Sequence, residues 1–341
     1  MNFGEINQYI LFGGGRLLSF TAQRLQKEGF LVFVVTSERH STETITTGSQ
    51  SMSLLEFLQD KEIDHVVSKD VSNDANVTDK ITENTVGMSF GAAWIFKKQF
   101  IDLFKGRLLN LHGARLPQDR GGGGFSWRIL RSERIGISLI HQINPGIDTG
   151  NIILFEEYIY PSSCRLPVEY QKYSIKKYQN LLEQFLRSVK KRESFTITSQ
   201  QEYFSSYWPR LFTDIHGYID WTWTLKDIEN FICAFDDPYN GASTFVNGSK
   251  VRLKKCYSTC NDGIFHPFQK GIIYRITETT IFVATEQGTL LLNSVLDETG
   301  TDINRKLRIG DRFYTPCRYL EEAKQYRAVY TPDGLKNASY K

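Results

Sequence analysis

The segment Asn110-Leu111-His112-Gly113 has residue types and a spacing that suit chemistry. It closes an apolar run at 108–111 that predicts a strand. Side chains two apart on a strand share a face, so the Asn110 amide and the His112 imidazole point the same way. Downstream, Gly146-Ile147-Asp148-Thr149-Gly150 sets a carboxylate between glycines, just after a Pro-Gly turn. An amide, an imidazole and a carboxylate in one cleft suit acyl transfer to an amine. The amide and imidazolium stabilise a tetrahedral oxyanion. A base takes the amine proton, and the carboxylate tunes the imidazole. Spacing alone leaves a second reading open, because a strand-end histidine is often only a hydrogen-bonded structural residue.

These residues need a frame. Strand signals at 9–12, 31–35, 64–67, 85–90, 108–111, 136–143 and 152–160 alternate with helical spacing at 16–28, 54–58 and 93–104, and a long helix follows at 168–191. That order predicts an α/β fold with a parallel sheet covered on both faces, where ligands collect outside the carboxyl ends of the strands. Near 199 the character changes. Short β-forming runs at 244–246, 251–253, 272–277, 280–284 and 289–292, with Asn247-Gly248 as a hairpin turn, predict a small barrel or open sheet preceded by one helix at 225–235. The division expected is 1–198, a linker at 199–215, and a β-rich domain at 216–341.

Composition excludes several classes. The 341 residues carry 41 Lys and Arg against 38 Asp and Glu, a net +3, which fits neither a disordered chain nor a strong polyanion binder. No apolar run is long enough to span a bilayer and no signal peptide is evident, so a cytoplasmic place is expected and a membrane is not. The five cysteines lack a CxxC pair, and Cys256 and Cys260 read as packed thiols. The histidines lack ligand spacing, so no metal is expected. His141 alternates with apolar neighbours and reads as a structural residue on the face opposite the reactive set. Gly13-Gly14-Gly15 opens a helix and suits either a tight turn or a phosphate, while Gly121-Gly122-Gly123-Gly124 lacks the Lys-Ser or Lys-Thr of a P-loop and reads as a flexible loop.

The run Asn110-Leu111-His112-Gly113-Ala114-Arg115-Leu116-Pro117, followed by Arg120-Gly121-Gly122 and Ser126-Trp127, resembles the central motif of folate-dependent formyltransferases. Gly146 to Gly150 resembles that family's Gly-hydrophobic-Asp-x-Gly loop. Ile219-Asp220-Trp221 and Ala234 to Ala242 resemble the start of the C-terminal domain in methionyl-tRNA and sugar-nucleotide formyltransferases. The resemblance implies a Rossmann-like N-terminal catalytic domain, a smaller β-rich, OB-like C-terminal domain, and 10-formyltetrahydrofolate as donor. It implies that Asn110 holds the formyl oxygen, His112 stabilises the oxyanion, and Asp148 orients His112 and accepts the amine proton. It also implies a pterin held mainly by backbone at Phe90, Gly91, Ala92 and Trp94 and at Gly146 and Ile147. The chain departs from the family at Gly113-Ala114 and in its longer glycine run.

The acceptor expected is a nucleotide-linked amino sugar destined for a bacterial surface glycan such as lipopolysaccharide. Arg115 and Arg120 suit phosphate or open solvent equally. Arg210 suits a diphosphate and Trp208 a base or sugar, and both suit an aromatic clasp between domains as well. The runner-up is methionyl-tRNA formyltransferase. Residues 206–341 carry 17 Lys and Arg against 16 Asp and Glu, which is weak for an RNA-binding domain, so no nucleic acid is expected. A reading of another class, a folate or nucleotide binder with no catalysis, has no need of all three reactive residues. A homodimer is a possible assembly.

Overall fold

The structure is a computed structural model that describes residues 1–48, 50–122, 124–331 and 334–336, with side chains described up to Val329. Gly123 of the glycine run and residues 332–333 and 337–341 of the expected C-terminal domain lie outside the described residues.

Seven strands make the first sheet: β1 (Gln8–Gly13), β2 (Leu31–Thr36), β3 (Asp64–Val67), β4 (Thr85–Phe90), β5 (Leu108–His112), β6 (Ile135–Gln142) and β7 (Ile152–Ile159). Their spatial order is β7-β6-β5-β4-β1-β2-β3. Strands β1 to β5 are parallel, in the 3-2-1-4-5 order of a Rossmann-like sheet. The expected all-parallel sheet is corrected at one edge, where β6 runs antiparallel to both β5 and β7. A short connection joins β6 to β7, so they form a hairpin and need no crossover helix.

Continuous burial explains the apolar strands. In β1, Tyr9 and Leu11 pack with Leu18 of α1 (Gly15–Lys27) on one face, and Ile10 and Phe12 pack with Phe100 and Phe104 on the other. A seven-residue helix, α2 (Leu54–Asp60), is capped by a reciprocal Ser53–Glu56 pair. The helix expected over 93–104 shrinks to α3 (Lys98–Leu103). Residues before it alternate, with Trp94 and Phe96 buried and Ile95 exposed, which is the period of an extended chain. Helix α4 (Gly124–Leu130) follows the glycine run, and α5 (Pro167–Lys190) lies along the sheet. Among the described residues no helix is long and apolar enough to cross a membrane.

The second sheet is antiparallel: β8 (Ala242–Val246), β9 (Ser249–Thr259), β10 (Ile273–Ile276), β11 (Ile281–Thr285), β12 (Gly288–Leu296) and β13 (Phe313–Tyr314), in the order β10-β11-β12-β9-β8-β13. Asn247 and Gly248 join β8 to β9 at φ 51° and 80°, the conformation a two-residue hairpin turn demands. The sheet curls until its edges meet, with Ile273 N–H donating to Asp311 O and Phe313 N–H to Gly271 O, both at 2.8 Å. Helix α6 (Leu225–Ala234) packs on it. One apolar cluster holds Tyr158, Tyr160 and Tyr170 from the first half together with Ile219, Ile228 and Val251 from the second, so the halves share a core. Cys256 lies buried 3.9 Å from Cys233, whereas Cys260, placed just beyond the end of β9, is exposed.

The segment at 199–215, expected to be a linker, is bound along much of its length. Thr198 bridges Ile152, and Tyr207–Trp208 pairs with Arg120–Gly121 as two short parallel strands.

Candidate active site

Strand β5 starts late in the sheet. Gly87 pairs with Leu108 and Ser89 with Asn110, so Asn110 stands level with the end of β4 and His112 lies one pleat beyond it. Both side chains therefore reach the carboxyl edge of the parallel strands. Asp148 arrives from the β6–β7 hairpin, and its Oδ1 lies 3.9 Å from His112 Nδ1. The other carboxylate oxygen, Oδ2, accepts the Gly121 N–H at 2.9 Å. The structure thus brings Asn110, His112 and Asp148 into one cluster. Asp148 holds φ 55°, a left-handed conformation rare outside glycine and tolerated best by Asp and Asn. Such strain gathers at functional sites.

His141, expected on the opposite face, belongs to this cluster. The antiparallel register sets it directly across from Asn110, and cross-strand partners share a face. Alternation along β6 gives His141 a face but not its partner, which only the register with β5 supplies. Its ring is 2% exposed. Nδ1 faces the Gln142 carbonyl at 2.8 Å and Nε2 faces Asn110 Nδ2 at 3.1 Å. A carbonyl only accepts, so Nδ1 carries the proton, Nε2 accepts, and the amide presents its N–H group to the ring. Burial, with His112 nearby, pushes the His141 pKa down to about 4 against the pull of Asp148, so the ring is neutral at pH 7. His112 Nε2 is buried and has no protein partner.

Donor atoms of His112, His141 and Asp148 lie within 4.8 Å of one another, the one such cluster among the described residues. A metal there would compete with the Asn110 amide for His141 Nε2, so the set is organised around hydrogen bonds.

The remaining expected residues fall in three places. Phe90 ends β4 and is buried, Gly91 turns the chain at φ 63°, Ala92 N–H faces Ser89 Oγ at 3.5 Å, and Trp94 is buried with its Nε1–H unpartnered. Gly146 and Ile147 are exposed beside Asp148. Arg115 lies half-buried, 3.9 Å from Glu133. Arg120, expected at the acceptor, points inward instead: it is 6% exposed and donates to Gln200 and Glu202. Trp208 packs against Trp127 at 5.3 Å, beneath the Arg131 guanidinium, and donates to Ser206 Oγ. Arg210 is exposed, lies against Gly122, and helps burial and Arg39 to depress the His40 pKa to about 4.

The first glycine run is a tight turn. A Cβ at Gly13, which has φ 120°, would lie 2.4 Å from Phe90 O. The N–H of Gly15, at the start of α1, bonds the chain's own Glu43 carboxylate. Sequence reasoning missed Gly121 N–H, Gln200 and His141, and of these only His141 left a signal, an imidazole seven residues before Asp148.

Comparison with known proteins follows the same outline. The formyl transferase model matches residues 9–160 and the formyl transferase C-terminal domain model matches residues 212–306. The methionyl-tRNA formyltransferase of Ruminiclostridium cellulolyticum is 26% identical over 220 residues, covering 64% of this chain and 67% of the relative. Among solved structures, WlaRD, a sugar 3N-formyl transferase in the presence of dTDP and 5-N-formyl-THF, aligns at TM-score 0.65 and 21% identity, over 86% of this chain and 100% of that one. The N-formyltransferase of Helicobacter canadensis, in complex with folinic acid and dTDP-3-aminofucose, aligns at 0.64 and 19%, over 85% and 99%. At these identities the two structures establish the shared fold. With both domain models matched in order, the chain belongs to the formyl transferase family.

Proposed function

We propose that the chain transfers the formyl group of 10-formyltetrahydrofolate to the amine of a nucleotide-linked amino sugar, a cytoplasmic step in making a bacterial surface glycan. The observation that carries this reading is the convergence of Asn110, His112 and Asp148 on one face at the carboxyl edge of the sheet, with Gly121 N–H on the carboxylate. Two buried atoms without protein partners, His112 Nε2 and Trp94 Nε1, fit a site that takes a polar ligand. In the proposal, residues 1–198 are the catalytic domain and 216–341 the β-rich domain.

Asn110 donates an amide N–H to the formyl oxygen, and His112 stabilises the negative charge that develops there as the amine adds. Asp148 takes the amine proton, directly or through water. That proton ends on the folate nitrogen as the carbon–nitrogen bond to the donor breaks. Backbone at Phe90, Gly91, Ala92, Trp94, Gly146 and Ile147 holds the pterin. Arg115, Trp208 and Arg210 remain the candidates for the acceptor, whereas Arg120, committed to Gln200 and Glu202, leaves that set.

Two things support a sugar acceptor: the near-complete alignment to two sugar N-formyltransferases, and the even charge of residues 206–341. The sequence likeness to methionyl-tRNA formyltransferases favours the second reading, charged initiator tRNA. The test offers nucleotide-linked 3-amino and 4-amino sugars and charged initiator tRNA, each with 10-formyltetrahydrofolate, at low and physiological salt. Turnover of an amino sugar with little salt dependence is expected. Formylation of the tRNA alone, weakening steeply as salt rises, reverses the choice.

A further inference from the structure

The carboxylate of Asp148 sits on a loop with one side-chain bond of its own among the described residues, from the Thr149 hydroxyl to Asn144 Oδ1. The Asp148 φ of 55° is disfavoured, and the neighbouring Gly146 and Ile147 are exposed. Two contacts from elsewhere hold this loop. One is Gly121 N–H on Asp148 Oδ2 at 2.9 Å. The other is Gln200, whose Nε2 donates to Asp148 O at 2.8 Å and to Gly150 O at 2.6 Å.

Gln200 is used in full. Both amide hydrogens go to the Asp148 loop, and Oε1 accepts from Arg120 Nε at 3.2 Å and Nη2 at 3.0 Å. Arg120 donates its remaining arm to Glu202 at 2.8 Å. The residue after Arg120 is Gly121, so the contacts close a ring. It runs from the Asp148 carboxylate to Gly121 N–H, along the chain to the Arg120 guanidinium, through Gln200, and back to the Asp148 carbonyl. The segment that carries Gln200 is itself pinned on both sides, by Thr198 on Ile152 and by Ser206 N–H on Pro117 O.

We propose that Gln200 is a positioning residue: its amide locks the Asp148 loop to the Arg120–Gly121 loop and so sets the carboxylate against His112. The proposal rests on Asp148 serving as the proton acceptor of the proposed reaction. A displacement of about 1 Å at a reacting group costs on the order of 10²-fold in rate, so a clamp of this kind shows in kcat.

Two substitutions in the full chain separate positioning from plain stability. Gln200→Ala removes the whole ring. Gln200→Glu keeps the acceptor for the Arg120 fork and adds a charge pair, but it turns oxygens toward the carbonyls of Asp148 and Gly150. If Gln200 only secures its own segment at 199–208, Gln200→Glu resembles wild type. If it positions Asp148, both variants lose about 10²-fold in kcat with KM for donor and acceptor little changed. Hydrogen exchange supplies a readout that needs no substrate. The Gly121 amide should exchange faster in both variants, while β1 and β4 amides keep their protection as a check on the fold. Wild-type kcat in Gln200→Glu, or unchanged Gly121 exchange in both variants, overturns the clamp. A wild-type chain that formylates no amine overturns the proposed function instead, and the exchange result still decides the clamp.

Discussion

Replacing Asp148 by Asn changes one oxygen into an NH2 group, and the structure says what is kept and what is lost. The left-handed φ of 55° suits Asn as well as Asp, so the backbone keeps its course. Asn Oδ1 still accepts the Gly121 N–H, now at 2.9 Å from Oδ2. Fold stability should therefore move by less than about 1 kcal/mol. The negative charge 3.9 Å from His112 Nδ1 is gone, and with it a group able to accept a proton. Loss of a positioned acid–base group costs about 10²- to 10⁴-fold in rate. Asp148→Ala behaves differently, because Ala carries a penalty of about 1–2 kcal/mol in the left-handed region and abandons the Gly121 bond. The pair is compared by urea denaturation, followed by tryptophan fluorescence, and by single-turnover formyl transfer. Asp148→Asn should be stable and slow, and Asp148→Ala unstable and slow. A stable Asp148→Asn within about tenfold of the wild-type rate, or an Asp148→Ala as stable as Asp148→Asn, refutes the reasoning.

Asn110→Ala and His112→Ala should each lower kcat by about 10²-fold or more in a folded protein, measured with saturating donor. His141→Gln should change how stability depends on pH. The folded His141 pKa lies near 4 against an ordinary 6.5, so its neutral ring stabilises the fold above pH 6.5, and that stability is lost as pH falls toward 4. Between pH 8 and pH 5 the wild type should lose about 2 kcal/mol more than the variant by denaturation, with His40 cancelling because both proteins keep it. Gly121→Ala should slow transfer by about tenfold or more and loosen the Tyr207–Trp208 segment, because a Cβ there, at φ 86°, would lie 2.3 Å from the Tyr207 ring and 2.9 Å from Trp208 O. Faster proteolysis at residues 199–208 with lower activity is the expected signature, and a fully active variant removes that loop from the argument.

Local pattern carried much of the fold. The bounds of Asp64–Val67 and Thr85–Phe90 match the expected runs because the first meets the polar Ser68-Lys69-Asp70 and the second meets Gly91, which turns the chain at φ 63°. The Asn247-Gly248 turn was legible because its conformation admits few other residues. Strand direction was not legible, since β6 reads the same in either sense, and with it went the pairing of His141 with Asn110. The hairpin of Thr44–Thr47 with Gln50–Ser53 was missed because its threonines and serines look like a loop. Helix α7 (Cys317–Gln325) was missed because it is short, polar on average and buries no residue fully. Asn110, His112 and Asp148 were found from their types and from a resemblance. Gly121 and Gln200 were beyond reach, because a backbone N–H has no letter in a sequence and a glutamine gains its meaning from partners 52 and 80 residues away.

Burial of His141 decides what Asn110 can do. A neutral ring with its proton on Nδ1, fixed by the Gln142 carbonyl, offers Nε2 as an acceptor. The Asn110 amide answers with an N–H, and in the proposed reaction its second N–H is the one that meets the formyl oxygen. A protonated ring would donate from Nε2, draw the Asn110 oxygen toward it, and turn the amide over. The site would then present an amide oxygen to the developing oxyanion, a repulsive contact. Asp148, whose Oδ1 is 3.8 Å from His141 Nε2, pulls toward that protonated state, so the carboxylate that the proposed reaction needs as a base also threatens the donor it works beside. Removing the ring from water outweighs that pull and keeps it neutral. In the proposed reaction the buried histidine thus lets an amide donor and a carboxylate base share one small site without either undoing the other.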